Sequence, residues 1–398
     1  MASVNIVRHN PIAIFSNPTE VIVTDDNDNV FRLIEPSGNV GTQYVADVGS
    51  QWLGTIENLN AGLDICGVNW SDVYKTDVLW TTPSSEWGPC DEQKNAFNAV
   101  YASMIESVTG GPLRSNRMAR HTHPEGFPDP AALFEVQIKA IKGANVTMSS
   151  GGDIDHVFWV DHQPSGKTVL HEKDGQTIDT LGGGIEEETM FILEEQLEKP
   201  FAELGVDMKQ QTAWIEIMVA ADYAPGEAWQ RIEAVRNLIA DYYGDARPAG
   251  LIYPVSRVPI ETGQVEIQPR LVSGEAEIVR SGEVVDGFST WTALKYGGVT
   301  EVLLSASGGD DAGQILGSLD GYIKDAGGSG LKENGVFNNA YVVAGENSKA
   351  SRDWIQTFNG QFIAWYEGTA PAGRTAQFLG GIQKEGYRCG IASRALFA

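Results

Sequence analysis

The sequence predicts an α+β fold: a mixed, multi-domain chain with a β-hairpin-rich N-terminal half and an α/β C-terminal half. Three observations lead to this prediction. The 398 residues are enough for two or three domains. The first ninety residues look β-rich, because residues 20–24 and 30–35 alternate apolar and polar side chains around a turn-forming run. Strand-like and helix-like segments alternate from about residue 211. We predict a β-rich domain with one helix over residues 1–115, a β-meander and helix over 116–210 that form an inserted or interface domain, and an α/β domain over 211–398.

The earliest predicted elements are a hairpin and a helix. Residues 20–24 and 30–35 have alternating patterns and flank the run Asp-Asp-Asn-Asp-Asn at 25–29, which is typical of a β-hairpin. Residues 91–109 then place apolar side chains at helical spacing. The predicted helix ends there because two glycines and a proline follow it.

The middle of the chain predicts a β-meander over residues 156–181 and a helix over 185–204. Three glutamates in the first turn of that helix would complement the positive end of its dipole. Pro200 should end or kink the helix because it lacks a backbone N–H.

The C-terminal half predicts alternating elements. A strand at 214–220, a helix at 225–243 and a strand at 251–258 precede a polar β-meander at 265–285. The remaining pattern indicates strand, helix, strand, helix and strand at 301–305, 312–323, 340–344, 348–358 and 361–366. We detect no internal repeat in the sequence.

The composition is that of a folded, strongly acidic protein. Hydrophobic residues make up 42% of the chain, and 28 Lys and Arg against 53 Asp and Glu give a net charge of −25. Such a surface repels phosphate backbones and anionic lipid headgroups, so we expect neither nucleic acid nor a membrane as a partner. The N-terminus lacks the apolar core of a signal peptide, and we therefore expect the protein in a virion or in the cytoplasm of the host cell, and not secreted by a signal peptide.

One histidine motif is suited to a metal ion. In an extended strand, His121, His123 and Glu125 point to the same side, so two imidazoles and a carboxylate could bind one divalent cation. Two nearby prolines disfavour a regular strand, and the other interpretation is a polar loop whose histidines contact water or a neighbouring chain. We predict no cofactor apart from this possible metal.

Three arginines stand out against the acidic background. Arg114, Arg117 and Arg120 would share one face of a helical turn and could bind carboxylates of another copy of the chain across a subunit interface. The alternative is that these arginines are solvated and pair locally.

Motifs of several enzyme classes are absent or incomplete. The run Ser-Gly-Lys-Thr at 165–168 resembles the end of a phosphate-binding loop, but Asp161 stands where the first glycine is required. There is no nucleophile elbow and no dinucleotide-binding glycine pattern. Cys66, Cys90 and Cys389 are odd in number and form no CxxC pair, so we expect buried structural thiols. We therefore name no catalytic residue.

The sequence lacks a catalytic signature and is rich in hairpins, acidic residues and aromatic residues. This combination favours a protein whose function is to bind other protein subunits. We expect a self-assembling structural component of a large particle, such as a phage or phage-like virion, in its capsid shell or its tail sheath or tube. Its partners would be other copies of itself and other particle proteins, joined through added strands. The alternative is a metal-dependent enzyme or a carbohydrate-binding protein that uses His121, His123 and Glu125.

Overall fold

Among the described residues, three large β-sheets with helices on their outer faces make up most of the fold. The computed structural model describes the chain except for residues 13–16, 45–46, 81–95, 97, 102, 104, 108–118, 125–130, 149–152, 157–158, 165–170, 174–175, 179–182, 221–224, 256–257, 259–262, 344–347 and 380. We call the three parts of the chain that build the sheets unit 1 (residues 3–143), unit 2 (146–274) and unit 3 (277–397).

The described residues of unit 1 form six strands and two α-helices. The strands are β1 (Ser3–Arg8), β2 (Thr19–Thr24), β3 (Val30–Glu35), β4 (Val73–Trp80), β5 (Ala119–Pro124) and β6 (Phe134–Gly143). Helix α1 (Val48–Ile65) begins after Asp47, whose side chain accepts a hydrogen bond from the backbone N–H of Ser50. The described residues between 96 and 107 form helix α2, within the predicted helix 91–109, whose two ends lie outside the described residues.

Unit 2 has the same kinds of element. The strands of its sheet are β7 (Val146–Met148), β8 (Ile154–His156), β9 (Trp159–His162), β12 (Thr212–Ala220), β13 (Ala249–Val255) and β14 (Val265–Gly274), and β10 (His171–Lys173) and β11 (Gln176–Ile178) form a separate hairpin. Its helical segments are α3 (Ile185–Phe191), a π-helical stretch (Ile192–Glu198), α4 (Lys199–Glu203), α5 (Met208–Gln211) and α6 (Pro225–Tyr243).

Unit 3 completes the chain. Its sheet consists of β15 (Glu277–Arg280), β18 (Trp291–Tyr296), β19 (Val299–Gly308), β20 (Gly335–Val343), β21 (Gly373–Leu379) and β22 (Cys389–Phe397), while the short strands β16 (Val284–Val285) and β17 (Phe288–Ser289) extend the sheet of unit 2. Its helices are α7 (Ala312–Asp325), α8 (Leu331–Asn334) and α9 (Ser348–Trp365).

The three units share one topology. Their strand orders are β1-β2-β3-β6-β4-β5, β7-β8-β9-β14-β12-β13 and β15-β18-β19-β22-β20-β21. In each unit the first five strands of that order pair antiparallel, and the last pair, β4 with β5, β12 with β13 or β20 with β21, is parallel. The structure therefore contains a threefold repeat of strand order and direction that we did not detect in the sequence.

The strand register makes positions in the three units comparable. Each of β4, β12 and β20 has an irregularity in its pairing at its second residue, between Val73 and Lys75 in unit 1 and at the corresponding points of the other two units. The partner strand places Lys139, Arg270 and Arg394 opposite the residue that follows each irregularity. A basic side chain thus occupies the same position in all three units.

Each sheet has an outer face that packs on helices and an inner face turned toward the other sheets. The outer cores join α1 and α2 to the first sheet, α3 to α6 to the second, and α7 and α9 to the third. A further core contains buried residues from all three sheets, among them Leu33, Val272 and Leu303. The inner faces of the sheets therefore meet at the centre of the protein.

The predicted α+β class is confirmed. Helix α6 has the predicted bounds and α7 extends the predicted helix by two residues. The predicted helix 348–358 and strand 361–366 are instead one helix, α9, because Phe358 and Phe362 lie one turn apart on its buried face. Helix α1 is missing from the predicted elements. Strand pairing joins residues on both sides of 115 and 210, where we predicted domain boundaries.

Two further predictions differ from the structure. Residues 265–274 are a central, buried strand of the second sheet, not part of a polar meander. The helical segments that start at Ile185 run through Pro200 to Glu203, and Pro200 is the second residue of α4, which follows directly on the π-helical stretch. No helix within the described part of the chain is long and apolar enough to cross a membrane.

Candidate functional site: a central cavity between the three sheets

A cavity lies where the inner faces of the three sheets meet. Its empty volume is about 710 Å³, a figure that includes space open to solvent. All three units supply its wall, which is formed by Glu35, Tyr74, Lys75, Asp77, Lys139, Gln163, Trp214, Glu216, Gln268, Pro269, Arg270, Leu303, Phe337, Asn339, Ala392, Ser393 and Arg394.

The alternation of β6, β14 and β22 explains why the wall is polar. In β14, Val265, Ile267 and Leu271 belong to the core beneath the helices, whereas Gln268 and Arg270 line the cavity. Successive side chains of a strand point to opposite faces, so the polar half of each alternating strand faces the interior of the protein instead of bulk water.

Buried ion pairs link two of the three equivalent basic residues. Arg270 donates two hydrogen bonds to Asp161 from Nε, each of 3.0 Å, and one from Nη2 of 2.7 Å, and its Nη1 donates to Oε1 of Glu301 at 2.5 Å. Arg394 donates from Nε to the same Glu301 oxygen at 2.7 Å and from Nη1 to Glu35. The carboxylates come from all three units, so the chain of ion pairs ties the units together around the cavity.

The charged groups in this series of ion pairs hold one another in their ionised forms. Burial alone would raise the pKa of Glu301, but Arg270 and Arg394 lower it to about 2. Burial lowers the pKa of Arg270, and the carboxylates of Asp161 and Glu301 more than offset this, so that its pKa lies well above the usual value. Both arginines are thus paired with two carboxylates each.

The third basic position is different. Lys139 forms no ion pair or hydrogen bond with any described residue. Its neighbour across the strand pair is Lys75, which is 8% exposed. The ammonium nitrogen of Lys75 lies 3.8 Å from Oδ1 of Asp77, within ion-pair distance but beyond a hydrogen bond. Unit 1 therefore presents to the cavity two amines that are not fully paired with carboxylates.

A carboxylate faces these amines from unit 2. Glu216 occupies the position in β12 that Asp77 occupies in β4. Its Oε1 accepts hydrogen bonds from the hydroxyl groups of Tyr253 at 2.7 Å and Tyr341 at 3.0 Å. The two tyrosines fix the orientation of this carboxylate at the cavity wall.

Two amides at the cavity wall have polar atoms without a partner in the described part of the chain. Gln268 is 3% exposed and its Nε2 forms no hydrogen bond there. The Oδ1 atom of Asn339, which occupies the position of Asp77 and Glu216 in unit 3, is also without a hydrogen bond among those residues. A buried polar atom without a partner costs about 1–3 kcal/mol, and a ligand that binds it recovers this cost.

The predicted metal residues lie at the edge of the first sheet. His121 and His123 are in β5, where their backbones pair with Asp77 and Leu79 of β4, and Glu125 lies outside the described residues. The strand predicted as doubtful is therefore formed, and the metal site itself stays a prediction. Of the predicted interface residues, Arg120 is in β5 and Arg114 and Arg117 lie outside the described residues.

Among the described residues, one group could supply three metal ligands: His9, Glu20 and Cys66. Arg32 lies in the same place, and its guanidinium donates to Glu20 at 2.9 Å and to the carbonyl of Cys66 at 2.7 Å. Burial raises the pKa of the Cys66 thiol to about 12. A protonated thiol and a neighbouring guanidinium both disfavour a cation here.

The sequence does not identify the cavity residues, because they lie on different units. One signal was available: residues 135–139 (EVQIK) and 266–270 (EIQPR) share glutamate, glutamine and a terminal basic residue at the same spacing. These two runs occupy equivalent positions in β6 and β14.

No model of a known protein family and no curated relative matches the chain. Among solved structures, the chain is similar to a chorismatase at 12% identity over 81% of this chain and 93% of that one, with a TM-score of 0.45. A cyanuric acid hydrolase matches at 12% identity over 92% of this chain and 100% of that one, with a TM-score of 0.43. A YjgF family protein from Neisseria meningitidis covers 31% of this chain and 96% of its own, at 16% identity and a TM-score of 0.25. At these values the similarities support no statement about activity.

Proposed function

We propose that the protein binds a small molecule bearing a carboxylate in the central cavity. The observation that carries this proposal is the Gln268 amide, which is 3% exposed and whose nitrogen has no partner in the described chain, on the wall that also holds Lys139. An ammonium and an amide N–H are both donors, and a carboxylate offers two acceptor oxygens. Arg270 and Arg394 are occupied by Asp161, Glu301 and Glu35 and are not needed as ligand donors.

Calorimetric titration of the full chain with propionate, pyruvate and benzoate tests this proposal, with uncharged propionamide as the control. The carboxylates should bind and propionamide should bind at least tenfold more weakly. Replacing Lys139 by Met should weaken carboxylate binding by about tenfold or more, since a hydrogen bond to a charged group contributes about 1.5–3 kcal/mol. Lys142→Met is the matched control, because Lys142 is on the same strand but contacts Asp72 at the surface.

A second variant separates binding from folding. Gln268→Leu removes the buried nitrogen that has no partner, so the free energy of unfolding of the unliganded variant should rise by about 1–3 kcal/mol while carboxylate binding falls. The proposal is wrong if none of the carboxylates binds at millimolar concentration, or if Lys139→Met and Lys142→Met weaken binding equally.

The two functions predicted from the sequence stay predictions. For a self-assembling particle component, we expect the mass of the native species in solution to rise with concentration toward rings, tubes or shells, and a monomer at every concentration would contradict it. For a metal-dependent protein, we expect stoichiometric metal in the purified chain that is lost in the His121→Ala variant while the fold is retained.

A further inference from the structure

We propose that Lys75 is the nucleophilic amine of the cavity and forms an imine with the carbonyl carbon of a small oxo acid. This inference rests on the proposed carboxylate site, because Lys139 and Gln268 would hold the carboxylate of the oxo acid while its neighbouring carbonyl faces Lys75.

The position of Lys75 is the first observation. It is the residue that follows the irregularity of β4, and the equivalent positions are Trp214 in unit 2 and Phe337 in unit 3. All three line the cavity, so one wall position carries an amine in one unit and an aromatic ring in the other two. The cavity therefore has one primary amine at this level, flanked by two apolar surfaces on which the carbon part of a ligand can pack.

The surroundings of Lys75 lower the pKa of its ammonium group, so its neutral amine forms at a lower pH than that of an ordinary lysine. Burial lowers the pKa of its ammonium most, and the positive charges of Lys139 and Arg270 lower it further, whereas Asp77 and Glu216 raise it; the result is a pKa below the ordinary 10.5. These four residues lie in β4, β6, β12 and β14, and their charges act on the pKa of Lys75; Glu35 and Arg394 line the same cavity. A buried lysine beside other cations is a known arrangement for an amine nucleophile.

The reaction balances without an oxidant or reductant. The nitrogen lone pair of the neutral Lys75 amine forms a bond to the carbonyl carbon, and the oxygen takes up the proton that the nitrogen releases, which gives a carbinolamine. The nitrogen lone pair then forms the carbon–nitrogen double bond as the carbon–oxygen bond breaks, and the hydroxyl takes up the second N–H proton and leaves as water. Asp77, whose carboxylate lies 3.8 Å from the lysine nitrogen, is placed to pass the proton between the two atoms.

Reductive trapping tests the proposal. The full chain is incubated with pyruvate and cyanoborohydride, which adds hydride to the imine carbon and leaves a stable secondary amine, and the modified lysines are identified by peptide mass spectrometry. We expect a carboxyethyl group on Lys75 at an initial rate at least tenfold above that of the exposed Lys199 and Lys324. The rate should rise with pH and reach its half-maximum below pH 10.5, because the neutral amine is the reactive form.

Variants and a second ligand make the outcome decisive. Lys75→Arg keeps a positive charge but should give no adduct at this position, Lys142→Met should react as the parent does, and Lys139→Met should slow labelling by weakening pyruvate binding. Lactate, which has the carboxylate but no carbonyl, should bind and slow labelling by competition. If pyruvate binds in calorimetry and Lys75 is labelled no faster than exposed lysines, the amine role is wrong while the carboxylate site stands. If neither pyruvate nor lactate binds, both proposals fail.

Discussion

Removing the charge of Glu301 should destabilise the whole protein, because this one carboxylate joins two units. Glu301 is 1% exposed and accepts hydrogen bonds from Arg270 of unit 2 and Arg394 of its own unit. Glu301→Gln keeps the size of the side chain. It leaves each arginine with one carboxylate where it had two, and it places an amide NH₂ group, itself a donor, beside a guanidinium.

The pKa of Glu301 sets the magnitude. The two arginines lower the pKa from the ordinary 4.5 to about 2, which corresponds to about 3 kcal/mol of stability at pH 7. Because the folded-state pKa is the lower one, this stability is fully present above pH 4.5 and is lost as the pH falls toward 2. At pH 3 the carboxyl is protonated in the unfolded chain and mostly ionised in the folded protein, so a little under half of this stability should remain.

Urea unfolding at 25 °C, followed by tryptophan fluorescence, measures the difference. We expect Glu301→Gln to lower the free energy of unfolding by about 3 kcal/mol at pH 7 and by about half as much at pH 3. Glu367→Gln is the control, since Glu367 is exposed at the end of α9 and should change stability by less than about 0.5 kcal/mol. A loss that is the same at both pH values would show that packing, and not the charge of Glu301, holds the units together at this point.

Two further predictions concern glycines and thiols. Gly321→Ala in α7 should stabilise the protein by about 0.5–1 kcal/mol, because a methyl group there meets open space. Gly250→Ala should destabilise it by about 1–3 kcal/mol, because the added carbon would lie 2.3 Å from a backbone oxygen of the neighbouring strand. Urea unfolding of both variants measures these two changes, which should have opposite signs. Burial raises the pKa of Cys66 and of Cys389 to about 12, so in a Cys90→Ser variant neither remaining thiol should react with a chromogenic disulfide at pH 8 until urea is added, and fast labelling of the native variant would contradict this.

The local elements could be predicted where a single segment carries the signal. Helix α6 begins at Pro225, which suits the first helical position, and its apolar stripe continues to Tyr243. The boundary between residues 358 and 361 was wrong because a short, largely apolar stretch such as Gln361–Tyr366 fits either a buried strand or the buried face of a helix. Only the buried contacts of Phe362 with Phe358 and Tyr366 decide for the helix.

The candidate site could not be predicted, for a physical reason that β14 illustrates. Its alternation of apolar with Glu266, Gln268 and Arg270 has the period of a strand with one face in water. The sequence does not tell whether a polar face meets bulk solvent or an interior cavity, because the same residues satisfy both. That choice depends on the two other sheets, which are formed by separate stretches of the chain.

The repeat explains how one cavity can hold unlike groups. If the three units presented identical residues, every group would appear three times around the centre, and three basic side chains would repel one another. The positions opposite the irregularities do hold three basic residues, Lys139, Arg270 and Arg394, but neighbouring carboxylates neutralise the two arginines. The position of Asp77 holds a carboxylate in two units and an amide in the third. Because the residues at equivalent backbone positions differ among the units, unit 1 alone presents the amines of Lys75 and Lys139 to the cavity. A site that binds one ligand in one orientation requires such an asymmetry.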